Sequence, residues 1–340
     1  MAGHQRLLRL QLKACGCPPH SLEATHHRRA VALELARAQA DDFAAFDHPG
    51  IYLDGAPYER AILRKLRAAL EPLTATRRHP FLLDLHASCA GNPHLPYAEL
   101  YPYLDSIWFG EQCEYQTYSP EQWLAEVSGV PFGLPGQVLG DNREQWQALV
   151  FGMTCRIYPD PHRCNPRPLW AALDALGMQS PRMVGWWDAA TPIAVVGSGR
   201  HGGGGGGGGG GEGGGGGGVA EVVRATLFVG ETGAAIAVAN WARHPVSFSL
   251  QLDWGRLAAL GVASSGSGSG ARLVAPAIEG FQEGGEWAAT DELTLQAKGG
   301  GRSEGLLLKI VATAGGGGSS AWGKLFAGIR GRRRRASQAE

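Results

Sequence analysis

The chain lacks an excess of either charge. Its 31 basic and 31 acidic residues balance, so net charge gives no argument for nucleic acid or an acidic partner as the main ligand. It also lacks an apolar run long enough to span a bilayer, so no membrane partner is expected. Residues 1–13 alternate basic and apolar side chains without a continuous apolar core or a clean cleavage site, and they do not read as a signal peptide. Cysteine is sparse. The six residues Cys15, Cys17, Cys89, Cys113, Cys155 and Cys164 include no two pairs at zinc-ligand spacing. They read as mostly free or buried thiols, with room for one disulfide. No pattern calls for a cofactor. Asp84-Leu85-His86 could supply metal ligands, but without a third ligand at a recognisable spacing no metal is assigned.

What the chain has in excess is glycine, 52 residues, many of them in residues 202–218, a tract broken only by Glu212. Such a tract reads as a flexible linker. It separates two regions of different period. Before it, short apolar runs end on polar residues and alternate with helical patterns. Gly50-Ile51-Tyr52-Leu53-Asp54 is followed by a Gly-Ala-Pro turn and a basic helix over residues 61–70. Similar strands are predicted at residues 80–86, 106–111, 149–154 and 183–188. A helix is expected over residues 30–46 and a short one over 168–176, and residues 123–134 read as a long loop. Strand, polar carboxyl end, turn, helix is how a β/α barrel presents catalytic groups.

After the tract the period changes to two. Strands are predicted at residues 223–229 and 235–241, joined by the hairpin signal Gly230-Glu231-Thr232-Gly233, and at 246–252, 293–295 and 306–311. The expected fold class is therefore α/β: a partial or complete (β/α)8 TIM-like barrel followed by a small antiparallel β-sandwich. The expected division is a weakly ordered segment 1–29, a barrel region 30–196, a Gly-rich linker 197–218, a β-sandwich 219–313 and a basic tail 314–340. Five barrel strands are legible where eight close a barrel. The reading is thus a partial barrel, to be completed by an oligomeric partner or by a missing amino-terminal segment.

Residues two apart on a strand share a face, which pairs Tyr52 with Asp54, Asp84 with His86, Phe109 with Glu111, and Trp186 with Asp188. Two carboxyl groups at strand ends suit general acid/base chemistry, in which one protonates a leaving oxygen and the other stabilises or attacks the centre it leaves. Asp54 as stabiliser or nucleophile and Glu111 as acid are the candidate catalytic pair. The competing structural reading has Asp54 capping the following helix and Glu111 paired with an arginine. Tyr52, His86, Trp108, Glu126, Trp186 and Asp188 are candidates for substrate binding: the aromatics offer a flat apolar wall, His86 could hold a hydroxyl or a carboxylate, and Glu126 is a further loop acid. Some of the tryptophans could instead be core.

Several blocks resemble glycoside hydrolase family 123 and its sister family of bacterial and algal proteins. They are Tyr52-Leu53-Asp54-Gly55, Asp84-Leu85-His86, residues 101–111 (YPYLDSIWFGE), residues 126–133 (EVSGVPFG) and Val184-Gly185-Trp186-Trp187-Asp188, with Ala239-Asn240-Trp241-Ala242 and Asp253-Trp254 in the β region. The resemblance implies a (β/α)8 barrel flanked by β-sandwiches, β-N-acetylgalactosaminidase activity and a retaining, substrate-assisted mechanism. In that family an adjacent Asp-Glu pair on the fourth strand orients the acetamido group and supplies the general acid/base. Asp54 falls at the Asp position when Asp188 is counted as ending the last strand. Gly55 stands where the family has Glu, which makes the sister family the closer fit. Three functions remain open: hydrolysis of N-acetylhexosaminide-type or other glycans, a non-catalytic carbohydrate-binding remnant, and an interaction protein using its basic tail.

Overall fold

The computed structural model describes residues 50–53, 60–74, 81–87, 95–109, 115–134, 136–138, 145–155, 165–179, 181–197, 218–231, 233–262, 270–297 and 304–311. The expected helix over 30–46, residues 198–217 of the Gly-rich linker and the basic tail lie outside these residues.

Four parallel strands lie side by side in chain order: β1 (Gly50–Leu53), β2 (Leu82–Ala87), β3 (Ser106–Phe109) and β4 (Gly136–Val138). A parallel bridge from Val138 to Cys155 extends the sheet by one position. Helix α1 (Arg60–Thr74) forms from a run of good helix formers, with Pro72 placed in its last turn. Its buried Leu63, Leu66 and Leu70 recur at helical spacing and share one core with the strand residues Ile51, Leu53, Leu83, Leu85 and Ile107. The strand side chains between these leucines and isoleucines point to the opposite, inner face. Arg67 on α1 forks onto Asp105, with Nη2 donating to Oδ1 at 2.8 Å. The same carboxylate accepts from the Leu83 backbone N–H at 2.7 Å. The Arg67–Asp105 hydrogen bond raises the Arg67 guanidinium above its ordinary value, and the fork fixes the helix against the amino ends of β2 and β3.

The carboxyl-terminal region is antiparallel. Strands β5 (Arg182–Val184), β7 (Val223–Gly230), β8 (Gly233–Asn240), β10 (Arg272–Ala275), β11 (Gly285–Ala288) and β13 (Gly305–Val311) form a six-stranded sheet in the order β11-β10-β13-β8-β7-β5. Strands β6 (Ile193–Gly197), β9 (Val246–Leu252) and β12 (Leu293–Leu295) form a three-stranded sheet in the order β12-β9-β6. One apolar core draws on both sheets, Ala225, Leu227, Ile236 and Val238 from the first and Val246, Phe248, Leu250 and Leu293 from the second. The hairpin expected between β7 and β8 forms, with Gly230 paired to Gly233.

The six-stranded sheet is buried on its other face too. Ala235, Ala237, Ala239 and Leu307 belong to the core of the parallel sheet, together with Trp123, Trp146 and Phe151. Small side chains on β8 leave room for these rings. Gly305 is required here, because a Cβ on it would lie 2.4 Å from Cβ and Cγ of Trp146. Trp123 and Phe151 stack at 5.9 Å, Phe151 and Trp187 at 5.5 Å, and Trp241 meets Trp123 edge-on at 6.5 Å.

Three sequence readings need correction. Residues 149–154 do not form a strand. Helix α3 (Gln145–Val150), reached after the three-residue turn α2 (Pro120–Gln122), buries all six of its residues, and only Cys155 bridges the sheet. An apolar run buried on every side carries no period to separate strand from helix. Residues 183–188 do not end the barrel either. Here β5 pairs antiparallel with β7, and residues 185–188 turn away. The third correction is the segment read as a loop over 123–134. It is a π-helical turn (Trp123–Val127) and a 3-10 turn (Val130–Phe132), and β4 follows directly. Gly129 at φ 71° makes the tight junction between those turns. The short helix expected at 168–176 is present as α4 (Arg167–Ala175).

Cys155 is disulfide-bonded. Its backbone N–H donates to Gln145 Oε1 at 3.0 Å, which holds the bridging segment to α3.

Candidate functional site

The inner face of the parallel sheet carries two rows set by register. Tyr52 pairs with Asp84 and Asp84 with Ser106; one step toward the carboxyl ends, His86 pairs with Trp108 and Trp108 with Gln137. Three aromatic side chains from three adjacent strands meet there. The rings of His86 and Trp108 are 4.0 Å apart, Tyr52 and Trp108 are 5.9 Å apart, and Tyr52 stacks on His86 at 6.1 Å. The surface is graded from solvent inward: Tyr52 is 41% exposed, His86 half-buried and Trp108 5% exposed. The outer face of the same strands is closed, with Leu83, Leu85 and Ile107 fully buried. On the inner face Tyr52 and the half-buried Asp84 and His86 are the side chains that solvent can reach.

Below the aromatic surface, Ser106 Oγ donates to Asp84 Oδ1 at 2.7 Å. This bond orients the Asp84 side chain. The sequence signal for this pair was the two-residue spacing itself, which puts Ser106 on the face of Trp108, and Asp84 on that of His86. Ser106 was missed because a serine opening a strand has no distinctive pattern.

The remaining candidates fall elsewhere. Asp54 and Glu111 lie outside the described residues; in sequence Asp54 directly follows the end of β1, and Glu111 comes two residues after β3. Glu126 is half-buried on the π-helical turn, apart from the sheet strands. Trp186 lies under the Arg224 guanidinium, 4.0 Å from the ring centroid, and Arg224 in turn is paired with Glu121. Asp188 is exposed and accepts from the Ala190 N–H at 2.8 Å, closing a turn. The structure thus brings together Tyr52, His86 and Trp108, and it places Trp186 at the junction with the antiparallel sheet.

Glu121 shows opposing influences. Burial pushes its carboxyl up, but hydrogen bonds from backbone N–H and Arg224 outweigh it, and the net shift is downward. A cavity of about 430 Å³ lies between α4, α3 and the six-stranded sheet. It is lined by groups such as Leu149, Phe151, Leu173, Met183, Phe228 and Leu307, with no titratable side chain, and includes none of the inner-face residues. The aromatic row, which offers polar and aromatic groups together, is the better candidate site. Among the described residues no group of three His, Cys, Asp or Glu side chains could hold a metal ion, and no helix is long and apolar enough to cross a membrane.

Two family profiles match the chain in the regions of the two sheets. The profile of the glycoside hydrolase 123 TIM-barrel domain matches residues 43–158, and that of the glycoside hydrolase 123 C-terminal domain matches residues 219–310. No curated protein matches the chain. Among solved structures, a noncanonic maltogenic alpha-amylase from Thermotoga neapolitana aligns at 11% identity and TM-score 0.44, over 84% of this chain and 66% of its own. A glycoside hydrolase family 5 protein from Bacteroides vulgatus aligns at 13% identity and TM-score 0.44, over 86% of this chain and 69% of its own. Likenesses this remote carry no argument about activity. The two matched domains follow one another in the chain, cover more than half of it, and coincide with the parallel sheet and the antiparallel region; by them the chain belongs to the glycoside hydrolase 123 family.

Proposed function

We propose that the chain binds glycans on the inner face of its parallel sheet and hydrolyses glycosidic bonds of the N-acetylhexosaminide type. The observation that carries this reading is the continuous surface made by Tyr52, His86 and Trp108. Pyranose rings pack their C–H faces on such surfaces, and the polar groups beside it can fix a ring's orientation. Asp54 and Glu111 are the proposed catalytic carboxyls, one to stabilise or attack the anomeric centre and the other to protonate the leaving oxygen. Support for them comes from their places in the sequence, at the carboxyl ends of β1 and β3, the end of a β/α barrel where catalytic groups stand. Glu126 and Asp188 remain proposed outlying contacts for a longer glycan, and Trp186 a support for the wall.

The four strands and the Cys155 bridge are proposed as consecutive members of a barrel that an oligomeric partner or further amino-terminal chain completes. The β region is proposed to close as a sandwich on its own core. Light scattering of the purified protein tests the oligomer directly, because a stable monomer that unfolds in one cooperative step would remove it.

One sequence fact favours a second reading, a carbohydrate-binding protein without turnover: Gly55 follows Asp54 where the family resemblance implies Glu. Hydrolysis of an aryl β-N-acetylgalactosaminide and a panel of other aryl glycosides separates the two. Turnover in the wild type that is lost in Asp54→Asn supports the enzyme. Saturable binding with no turnover from a folded sample supports the binding protein.

A further inference from the structure

Asp84 lies in the row beneath the aromatic surface, between Tyr52 and Ser106, and one strand step from His86. Neighbouring strands are about 4.8 Å apart and alternate residues about 6.6 Å, so all four side chains fall within the footprint of one or two sugar rings. A half-buried carboxylate on the inside of a sheet is costly unless hydrogen bonds offset the loss of water. Ser106 supplies one such bond, through its only proton. The fork that fixes α1 to the strands uses Asp105, and the register puts the Asp84–Ser106 pair on the face of Tyr52, His86 and Trp108, opposite the packing against α1.

We propose that Asp84 is a specificity-determining carboxylate of this site, which accepts a hydrogen bond from a donor on a glycan lying against Tyr52, His86 and Trp108, and that Ser106 is its positioning residue. The proposal rests on the glycan-binding reading and deepens it. An ionised carboxylate only accepts, so the group recognised is a hydroxyl or an acetamido N–H, and a ring lacking that donor is rejected. The aromatic surface supplies affinity with little discrimination among pyranoses, while Asp84 supplies the discrimination. No proton is transferred in this role.

The test is a titration of the full-length protein, followed by tryptophan fluorescence and calorimetry, with aryl N-acetylhexosaminides, aryl hexosides and their monodeoxy analogues. The wild type is expected to bind at least one parent glycoside and to lose roughly 10- to 100-fold in affinity for one deoxy analogue, the range for a hydrogen bond to a charged group. In Asp84→Asn the parent glycoside should weaken by about the same factor and the parent-to-deoxy ratio should fall toward one. Ser106→Ala should weaken the parent several-fold and keep part of the ratio. A purely structural role would lower affinity for every ligand alike and leave the ratio intact. If Asp84→Asn fails to fold, Ser106→Ala still decides, since an unchanged ratio and affinity there overturns the proposal. Wild-type binding with unchanged ratios in both variants overturns the role of Asp84 alone. A wild type that binds no member of the panel overturns the glycan-binding reading and this proposal together.

Discussion

Replacing Asn240 by leucine should cost about 3–5 kcal/mol of stability, and the figure follows from what the side chain holds. Asn240 ends β8 with no exposed surface. Its Nδ2 donates to the carbonyls of His244 at 3.1 Å and Gln296 at 2.8 Å, and its Oδ1 accepts from the Ala242 N–H at 2.8 Å. One side chain thus joins the end of the six-stranded sheet to the chain entering β9 and leaving β12. Leucine matches asparagine in heavy-atom count and branching but supplies none of these bonds. Each stranded buried group costs about 1–3 kcal/mol. The two carbonyls sit near the low end, because each has a second lone pair, and the N–H has no such recourse. The bond from Gln147 Nε2 to the Asn240 backbone carbonyl survives the change. The assay is urea unfolding followed by tryptophan fluorescence, read as a shift in midpoint at constant slope. Glycan affinity of the native fraction should be unchanged, as Asn240 is in the antiparallel sheet and the inner-face row is in the parallel one. A loss under about 1 kcal/mol would refute the reasoning, since it would mean that these three groups find other partners at little cost.

Other outcomes follow from the junction and the staple. Arg224→Met removes both the pair with Glu121 and the stack on Trp186, and should cost about 1–2 kcal/mol in the same assay, because the pair is partly exposed and the cation–ring contact is modest. The Glu121 carboxyl is lower in the folded chain than unfolded, so its contribution is present above the ordinary carboxylate range and is lost as pH falls through the folded value; Glu121→Gln should flatten that part of the acid limb in a pH series of melting temperatures. Gly305→Ala forces a methyl group against the Trp146 side chain and should destabilise by about 1–3 kcal/mol, visible as a lower melting temperature. Adding reductant to the wild type, or Cys155→Ser without it, should remove about 2–4 kcal/mol relative to the oxidised wild type, while equal stability with and without reductant would contradict a structural disulfide.

The sequence was most informative where side-chain period and turn chemistry agree. The β7–β8 hairpin was legible because alternating apolar residues flank a Gly-Glu-Thr-Gly turn, and β1 to β3 because each short apolar run ends at polar residues. Two-residue spacing put Asp84 and His86 on one face, but it paired Phe109 with Glu111; only the register shows that Trp108 and Ser106, not Phe109, share the face of His86. What spacing does not encode is the partner. Residues 182–184 look like any short strand, yet they pair with β7, which leaves Trp186 at the sheet junction and not in the row. Helix α3 was hidden because all six residues are buried, and β4 because three residues, Gly-Gln-Val, are too few to show a period. Asn240 was visible as part of a resembling motif, but one of its three side-chain bonds reaches Gln296, 56 residues away, and local sequence does not encode it.

The central claim is that Tyr52, His86 and Trp108 form a glycan-binding surface. Its most direct test is calorimetric titration of wild type and Tyr52→Ala with an aryl β-N-acetylgalactosaminide and related glycosides. Tyr52 is the exposed member of the row, so its removal spares the buried core. The account predicts saturable binding by the wild type and roughly tenfold weaker binding by the variant, the equivalent of about 1.4 kcal/mol for one aromatic wall. Equal affinity in the two proteins, or no binding by a folded wild type, would contradict it.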